Sequence, residues 1–288
     1  MAVFERSYRP YAGPLTPEKR RFLILPRYAY SDVFKSRLFA IFFALCFAVP
    51  FAGLLIIYLH HNLSALKMFG ITAEKLNEIL PIDAQFFWRG MSLQSSLCFI
   101  ITLFVGPALV APDLRNNGLP LYLARPFSRT EYVLGKLCVL AILMSLVTWV
   151  PGLLLWGFQA YLEPNWAGQN LQIASALFIG SWIWILFLSL FALAISAWVK
   201  WKPVARIALF MMFFIGTAFG HAVHGILGLS FGKLFDASGA STRVWASLFG
   251  VRPPDDHPLA LAWITMIGGC LVFLWLLKTR LRAYEVVR

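Results

Sequence analysis

Six long runs of apolar residues constrain this chain more than any other feature of its sequence. Each run reaches the length of about 20 residues that an α-helix needs to cross the hydrocarbon core of a membrane. The runs lie at residues 38–59, 91–111, 132–156, 173–198, 203–227 and 257–277. Because six spans leave little chain for a separate soluble domain, the sequence predicts one all-α polytopic membrane protein with six transmembrane helices.

The composition agrees with this prediction. Of the 288 residues, 60% are hydrophobic and 13% are charged, whereas an ordinary soluble domain has about 25% charged residues. Pro50 and Pro151 lie inside apolar runs and should kink their helices. All four cysteines also lie inside the runs, without the spacing of metal ligands, which indicates small core residues.

The formal charge of +12 would suggest nucleic acid as a partner of a soluble protein, so its distribution matters here. On one predicted side of the membrane lie 19 of the 25 Lys and Arg residues, and the remaining six lie on the other side. The positive-inside rule therefore predicts a multi-pass protein of the cytoplasmic (inner) membrane with both termini in the cytoplasm. Membrane lipid with anionic head groups accounts for the basic balance, and we expect no nucleic-acid partner.

These assignments divide the chain into three parts. Residues 1–37 form a cytoplasmic N-terminal segment, in which we expect an interfacial helix, and residues 279–288 form a cytoplasmic tail. Residues 38–278 form the six-span domain, which includes a cytoplasmic segment at 112–131 and an extracytoplasmic segment at 228–256. The latter mixes aromatic residues with Gly, Ser and charges, which is typical of short re-entrant helices at the membrane surface.

The connection between the second and third runs is unusual for a simple loop. Large apolar residues alternate there with charged residues, a pattern typical of a short helix that offers side chains to a partner. The apolar members are Leu114, Leu119, Leu121, Leu123 and Phe127, and the charged members are Asp113, Arg115, Arg125, Arg129 and Glu131.

This connection resembles the corresponding segment of the permease subunits of ABC-2 type transporters. The resemblance lies in an acid and Arg pair, a Gly-Leu step, a Pro-aromatic-Ser-Arg core and a final Gly-Lys step. In this chain these features are Asp113 with Arg115, Gly118 with Leu119, Pro126 to Arg129, and Gly135 with Lys136. The chain is similar to that family as a whole in the number and arrangement of its spans.

The resemblance implies a transporter membrane subunit, not an enzyme, and export is the usual direction in that family. The many aromatic residues of the spans would suit a hydrophobic or amphiphilic substrate, and contact with lipid explains the same residues. The resemblance further implies cytoplasmic ABC ATPase subunits as partners and a second permease copy, identical or related. No cofactor is then expected in this chain, and ATP and Mg²⁺ would be bound by the partner ATPase. The residues expected to couple this chain to the ATPase are Asp113, Arg115, Leu123, Arg125, Phe127 and Arg129.

Two features that the sequence lacks indicate that the energy for transport comes from another chain. None of the 13 Asp and Glu residues lies in the middle of a run, so no carboxylate is placed to carry a proton or bind sodium at the membrane midplane. The chain also lacks the glycine-rich phosphate loop of nucleotide-binding proteins, because Gly135-Lys136 is followed by Leu137. ATP hydrolysis would therefore have to take place on another chain.

Other polar residues within or near the spans leave alternatives open. Gln94, Ser95 and Thr102 on the second span are candidates for lining a translocation path, and hydrogen bonding between helices explains them equally well. Gly216 and Gly220 on the fifth span predict a close helix contact, either inside the chain or with a second copy.

A different class of function would use histidines. His221 and His224 are three residues apart near the predicted outer end of the fifth span, so both side chains could face one ligand. The alternative hypothesis is therefore a membrane-embedded enzyme, or a metal- or haem-binding subunit, that uses these two residues. A purely structural membrane subunit of a larger assembly is a third hypothesis.

Overall fold

A computed structural model describes residues 23–62, 81–116, 118, 128–227, 230–253 and 257–280 of the chain. Within these ranges every regular element is helical. In chain order the elements are α1 (Ile24–Val33), α2 (Arg37–Leu45), α3 (Ala48–His61), α4 (Ala84–Val105), α5 (Ala111–Arg115), α6 (Arg129–Val147), α7 (Trp149–Leu162), α8 (Trp166–Gln169), α9 (Leu171–Trp198), α10 (Lys202–Leu227), α11 (Ala237–Phe249) and α12 (Leu259–Arg280), with 3₁₀ helices at Gly106–Ala108 and Ser230–Phe235.

Six helical units are long and apolar enough to cross a membrane, which confirms the predicted number of spans. The first span is α2 with α3, the second is α4 with α5, the third is α6 with α7, and the last three are α9, α10 and α12. We call the end of the bundle that carries Asp113, Ser128 and Trp201 the Asp113 end. The other end, which carries His61, Asp83 and Asp236, is the distal end.

The second span begins earlier than the sequence predicted. The prediction placed its start at residue 91, whereas α4 begins at Ala84. Asp83 caps the helix, since its Oδ1 accepts a hydrogen bond of 3.0 Å from the N–H of Phe86. Arg89 lowers the local hydropathy and so hid these first two turns, but its side chain is exposed and a long basic side chain is tolerated near a membrane surface.

The helix is interrupted near both prolines that were predicted to kink it. Proline has no N–H for the carbonyl four residues before it, which weakens the helix at that point. The helices α2 and α3 of the first span separate at Cys46, four residues before Pro50. The helices α6 and α7 of the third span separate at Thr148, just before Pro151.

Pro107 breaks the second span in the same way. The 3₁₀ turn at Gly106–Ala108 separates α4 from α5. The carbonyl of Leu103, which a proline four residues later cannot satisfy, accepts a hydrogen bond of 3.1 Å from Nε of Arg206 on the fifth span. A residue outside the second span therefore stabilises its bend.

The fourth span, α9, is the centre of the bundle. In its most apolar stretch 72% of the residues are buried, against 22% in the first span, 17% in the fifth and 11% in the sixth. A Cβ atom added to Gly106 would lie 2.6 Å from Cβ of Ala192, so the second and fourth spans approach closely at this glycine. The outer spans expose large apolar faces that can contact lipid or another chain.

The close contact predicted at Gly216 and Gly220 is made inside the chain. A Cβ atom added to Gly220 would lie 2.6 Å from the carbonyl oxygen of Gly232, and one added to Gly216 would lie 3.1 Å from that of Phe235. Both carbonyls belong to the 3₁₀ helix at Ser230–Phe235. These two glycines therefore provide room for the chain's own 3₁₀ helix against the fifth span.

Helix α11 closes the distal end of the bundle. Asp236 caps it, because its Oδ1 accepts a hydrogen bond of 3.0 Å from the N–H of Gly239. Trp245 is 2% exposed and donates its indole N–H to the carbonyl of Gly180 on the fourth span at 3.1 Å. The helix ends at Gly250, whose φ of +69° is the left-handed conformation that favours glycine.

Candidate functional site at the Asp113 end

A single carboxylate joins the second and third spans at the Asp113 end. Oδ2 of Asp113 accepts a hydrogen bond of 2.7 Å from the hydroxyl of Tyr132 and lies 2.8 Å from Nζ of Lys136. Tyr132 and Lys136 are four residues apart on α6, so they share one face of that helix. The ammonium of Lys136 also lies 5.5 Å from the centre of the Tyr132 ring, within range of a cation–π interaction. We call Asp113, Tyr132 and Lys136 the carboxylate cluster.

The carboxylate cluster is largely shielded from water. The side chains of Lys136 and Asp113 are 11% and 18% exposed, and Tyr132 as a whole is 1% exposed. A shielded ion pair holds its geometry strongly, because separating the charges would leave at least one of them poorly solvated. The cluster therefore ties together the two helices that flank the connection at 112–131.

The fourth span fixes the position of the Asp113 helix. The hydroxyl oxygen of Ser196 accepts hydrogen bonds from the N–H groups of Val110 at 3.2 Å and Ala111 at 2.9 Å. Its own hydroxyl lies 3.4 Å from the carbonyl of Pro107. These N–H groups precede α5 or begin it, and such groups have no partner within the helix itself. A buried serine from the central helix thus serves as the cap of α5.

The third span begins with a reciprocal cap. The N–H of Glu131 donates to the hydroxyl of Ser128 at 3.2 Å, and the carboxylate of Glu131 accepts a hydrogen bond of 2.6 Å from the N–H of Ser128. The Ser-x-x-Glu spacing of this capping box was readable from the sequence. It sets the first residue of α6 at Arg129, whose side chain is exposed.

Two of the three predicted coupling residues in the described ranges differ in their surroundings. The guanidinium of Arg115 lies 5.3 Å from the centre of the Trp201 ring, in the connection between the fourth and fifth spans. Arg115 is therefore held beside another connection at the same end, whereas Arg129 projects from the start of α6. The other three predicted residues, Leu123, Arg125 and Phe127, lie outside the described residues.

Helix α1 packs against the third span next to the carboxylate cluster. The hydroxyl of Tyr30 lies 3.2 Å from the carbonyl of Val139 and 3.4 Å from that of Cys138, so it donates to the backbone of α6. Burial raises the pKa of the Tyr30 phenol above its ordinary value of 10.0. On the exposed side of α1, the hydrogen bond from Lys35 lowers the pKa of Asp32. Helix α1 is thus attached to the same helix as Lys136.

The three candidates for a translocation path do not share one surface. The hydroxyl of Ser95 donates to the carbonyl of Ser92 at 2.7 Å, and that of Thr102 donates to the carbonyl of Cys98 at 2.8 Å. Both residues are buried in helix contacts. Gln94 lines a cavity between the first three spans, which neither of the other two reaches.

The histidines of the alternative hypothesis lie near the distal end. Nε2 of His221 is 3.4 Å from Oδ2 of Asp236, and the side chain of His221 is 70% exposed. A different histidine at the same end, His61, pairs with Gln159, at 3.3 Å between Nε2 and Oε1. Among the residues that the structure describes, no group of three or more His, Cys, Asp or Glu side chains comes together as metal ligands would.

Tyr132, Lys136 and Ser196 were not predicted from the sequence as site residues. One signal was available for Lys136, since a lysine inside an apolar run requires a partner of opposite charge. The acid of the preceding segment, Asp113, was the nearest candidate. Nothing in the sequence marked Ser196, because a serine in a membrane helix usually bonds to its own backbone.

The fold defines an all-α polytopic membrane protein with six spans. The family model described as "ABC-2 family transporter protein" matches residues 79–251, which is more than half of the chain and includes the second to fifth spans. The chain belongs to this family and is a permease component of an ABC transporter. No curated protein matches the chain.

Proposed function

We propose that this chain is the membrane subunit of an ATP-driven exporter and that the connection at 112–131 couples it to a cytoplasmic ATPase. Two ATPase subunits would bind ATP and Mg²⁺, and a second permease copy, identical or related, would complete the path. The substrate would be hydrophobic or amphiphilic. In this arrangement the Asp113 end faces the cytoplasm, the side on which 19 of the 25 basic residues are predicted.

The carboxylate cluster is the observation that carries this proposal. If the two ends of the connection could move independently, a movement of the bound ATPase would deform the connection without displacing the spans. Here Asp113 lies at the start of the connection, Lys136 follows its end, and Oδ2 of Asp113 is 2.8 Å from Nζ of Lys136. A force on the connection would therefore move the second and third spans together, and Ser196 would transmit it to the central fourth span.

The surroundings of Arg129 and Arg115 support a separate role for each of these two coupling residues. Arg129 is exposed at the first turn of α6, and a charge there is available to an acidic surface of the ATPase. Arg115 would steady the connection through Trp201. Leu123, Arg125 and Phe127, together with Asp113, complete the set of residues that we propose for docking.

Purification with the ATPase tests the proposal. The tagged protein is extracted gently from its own membranes, the proteins that co-purify are identified, and ATP hydrolysis is measured for the native chain, Arg129→Glu and Arg252→Glu. Reversing the charge of an interface hot spot costs about 2 kcal/mol, or about 30-fold in affinity, so Arg129→Glu should lose the ATPase. Its helix should persist, because an acid is favourable at a helix N-terminus.

Arg252→Glu is the matched control, since Arg252 is also exposed but lies at the distal end. It should co-purify with the ATPase as the native chain does. The proposal is overturned if no ABC ATPase accompanies the native chain, or if both variants retain the partner and its activity equally.

A further inference from the structure

A cavity of about 590 Å³ lies between the first three spans, in the half of the bundle nearer the distal end. Binding sites for small molecules have volumes of about 300–1,000 Å³. The walls are formed by α3, by α4 with the residues just before it, by α7, and by Leu177 of α9. The cavity is therefore large enough for a ligand, and the chemistry of its walls determines which kind of ligand fits.

Polar side chains line the part of the cavity nearest the distal end. Asp83 immediately precedes α4 there, and Gln85 and Arg89 belong to the first two turns of that helix. On the opposite wall, Val49 lies twelve residues before His61, the last residue of α3. The wall therefore reaches about 18 Å into the bundle from the distal end of α3.

The deeper part of the cavity is lined mainly by apolar side chains. On α3 and α7 these are Val49, Pro50, Ala52, Ile56 and Leu155. Gln94 of α4 also belongs to the wall, but its Nε2 is buried within the protein and cannot bond to a ligand. A polar end joined to a long apolar interior fits an amphiphile, with its head group at the polar end and a hydrocarbon chain in the interior.

The two charged residues of the polar end have opposite signs. Asp83 and Arg89 are both exposed, and neither forms an ion pair with a residue that the structure describes. Asp83 accepts only the neutral N–H of Phe86 among these residues, which does not neutralise its carboxylate. Arg89 lies six positions further on, about 9 Å along the axis of α4. A head group with a single charge would meet a like charge here, whereas a zwitterionic head group meets two opposite ones.

We propose that this cavity binds a phospholipid with a zwitterionic head group, of the phosphatidylethanolamine class. The ammonium pairs with Asp83, the phosphate pairs with Arg89, and one hydrocarbon chain occupies the apolar part between α3 and α7. The amide of Gln85 both donates and accepts hydrogen bonds, so it is compatible with either charge. The lipid enters from the surrounding membrane, and its binding does not depend on the proposed function.

Photolabelling of the isolated chain tests the binding. The protein is purified without its ATPase in a mild detergent, phosphatidylethanolamine with a photoreactive group in its hydrocarbon chain is added, and the labelled peptides are mapped by mass spectrometry. We expect the label on α3 and α7, beside the apolar part of the cavity. Unlabelled phosphatidylethanolamine should displace the label up to about fivefold better than phosphatidylglycerol with the same chains, because phosphatidylglycerol has no ammonium for Asp83.

Asp83→Asn tests the pairing with the ammonium. Asparagine caps a helix about as well as aspartate, so α4 should keep its first turn while the negative charge is lost. The preference for phosphatidylethanolamine should then disappear. Glu163→Gln is the matched control and should keep the preference, since Glu163 is also exposed near the distal end but does not line the cavity.

Two further variants test the phosphate and the hydrocarbon chain. Arg89→Gln should weaken the binding of both lipids up to about fivefold, whereas Arg252→Gln, at an exposed position outside the cavity, should not. Gly90 lines the cavity, and a Cβ atom added there meets nothing within 4 Å, so the side chain of Gly90→Phe should enter the cavity and reduce labelling about tenfold. Gly157→Phe, at an equally open position outside the cavity, should label as the native chain does.

Two sets of results would overturn the proposal. Equal displacement by the two lipids on the native chain, or a preference that persists in Asp83→Asn, would show that the head group is not recognised. Labelling that is unchanged in Gly90→Phe, or that is spread over the fifth and sixth spans, would mean annular lipid only. Because the assay contains no ATPase, its outcome is independent of the coupling that Arg129→Glu tests.

Discussion

Replacing Lys136 by Met removes the ammonium of the carboxylate cluster but keeps an unbranched side chain of similar length. In the native chain, Asp113 has two partners for Oδ2, the hydroxyl of Tyr132 at 2.7 Å and Nζ of Lys136 at 2.8 Å. Among the described residues, the variant leaves this shielded carboxylate with the hydroxyl of Tyr132 as its remaining partner. We therefore expect the connection between the second and third spans to loosen.

The magnitude follows from the exposure of the pair. Removing one partner of a fully buried ion pair costs about 3–5 kcal/mol. The two side chains here retain 11% and 18% exposure, and the Tyr132 hydrogen bond remains. We expect a loss of about 2 kcal/mol in the free energy of unfolding, which is smaller because water reaches the carboxylate.

The assay is reversible unfolding of the purified protein in mixed micelles, with tryptophan fluorescence followed as sodium dodecyl sulfate is added. Asp113→Asn and the double variant Asp113→Asn/Lys136→Met complete a double-mutant cycle, whose coupling should be about 1–2 kcal/mol. Lys35→Met is the control, since the Lys35 and Asp32 side chains are 72% and 75% exposed and their pair should contribute nothing measurable. The reasoning is refuted if Lys136→Met destabilises no more than Lys35→Met, or if the two single effects simply add.

Three further predictions concern the contacts that position the site. Ser196→Ala leaves the N–H groups of Val110 and Ala111 without their acceptor and should lower the free energy of unfolding by about 1–2 kcal/mol in the same assay. If the exposed control Ser175→Ala lowers it equally, the capping role of Ser196 is contradicted. Gly220→Ala places a methyl group 2.6 Å from the carbonyl oxygen of Gly232 and should lower the melting temperature. Gly225→Ala is the control and should not lower it, because a Cβ atom there meets nothing within 4 Å. Equal melting temperatures of the two variants would show that the 3₁₀ helix moves aside freely. Tyr30 should make the protein sensitive to alkali, because the pKa of its phenol is raised in the folded state. The buried, neutral phenol stabilises the folded state fully below pH 10. This stabilisation is lost as the pH rises above 10, because the phenol then ionises in the unfolded chain before it ionises in the folded one. Melting temperatures measured between pH 9 and pH 11 should therefore fall less for Tyr30→Phe than for the native chain, and parallel curves would exclude this explanation.

The number of spans was predictable because membrane insertion depends on the length and hydropathy of each segment taken alone. The kinks at Pro50 and Pro151 were predictable for a similar reason, since a missing N–H acts on its own helix. The start of the second span was wrong by about two turns. An average of hydropathy along the chain counts Arg89 as if its charge lay inside the membrane, although its side chain is exposed.

The candidate site was only partly predictable. Asp113 stood out because it is charged and lies between two apolar runs. Its partners on α6 depend on how the second and third spans pack, and Ser196 is 83 positions away along the chain. The same limit applied to Gly216 and Gly220, where the sequence indicated a close approach but not whether the partner was internal.

Sequence alone determined that this chain forms six apolar helices with a charged connection between the second and third, because those properties are local and each span is stable in lipid by itself. Tertiary structure decided which side chains meet. It brought Lys136 to Asp113, Ser196 to the start of α5, and three spans around a cavity at Gly90. Helices in a membrane associate through close packing and specific hydrogen bonds, not through hydrophobic burial, and such contacts join residues whose separation along the chain carries no signal.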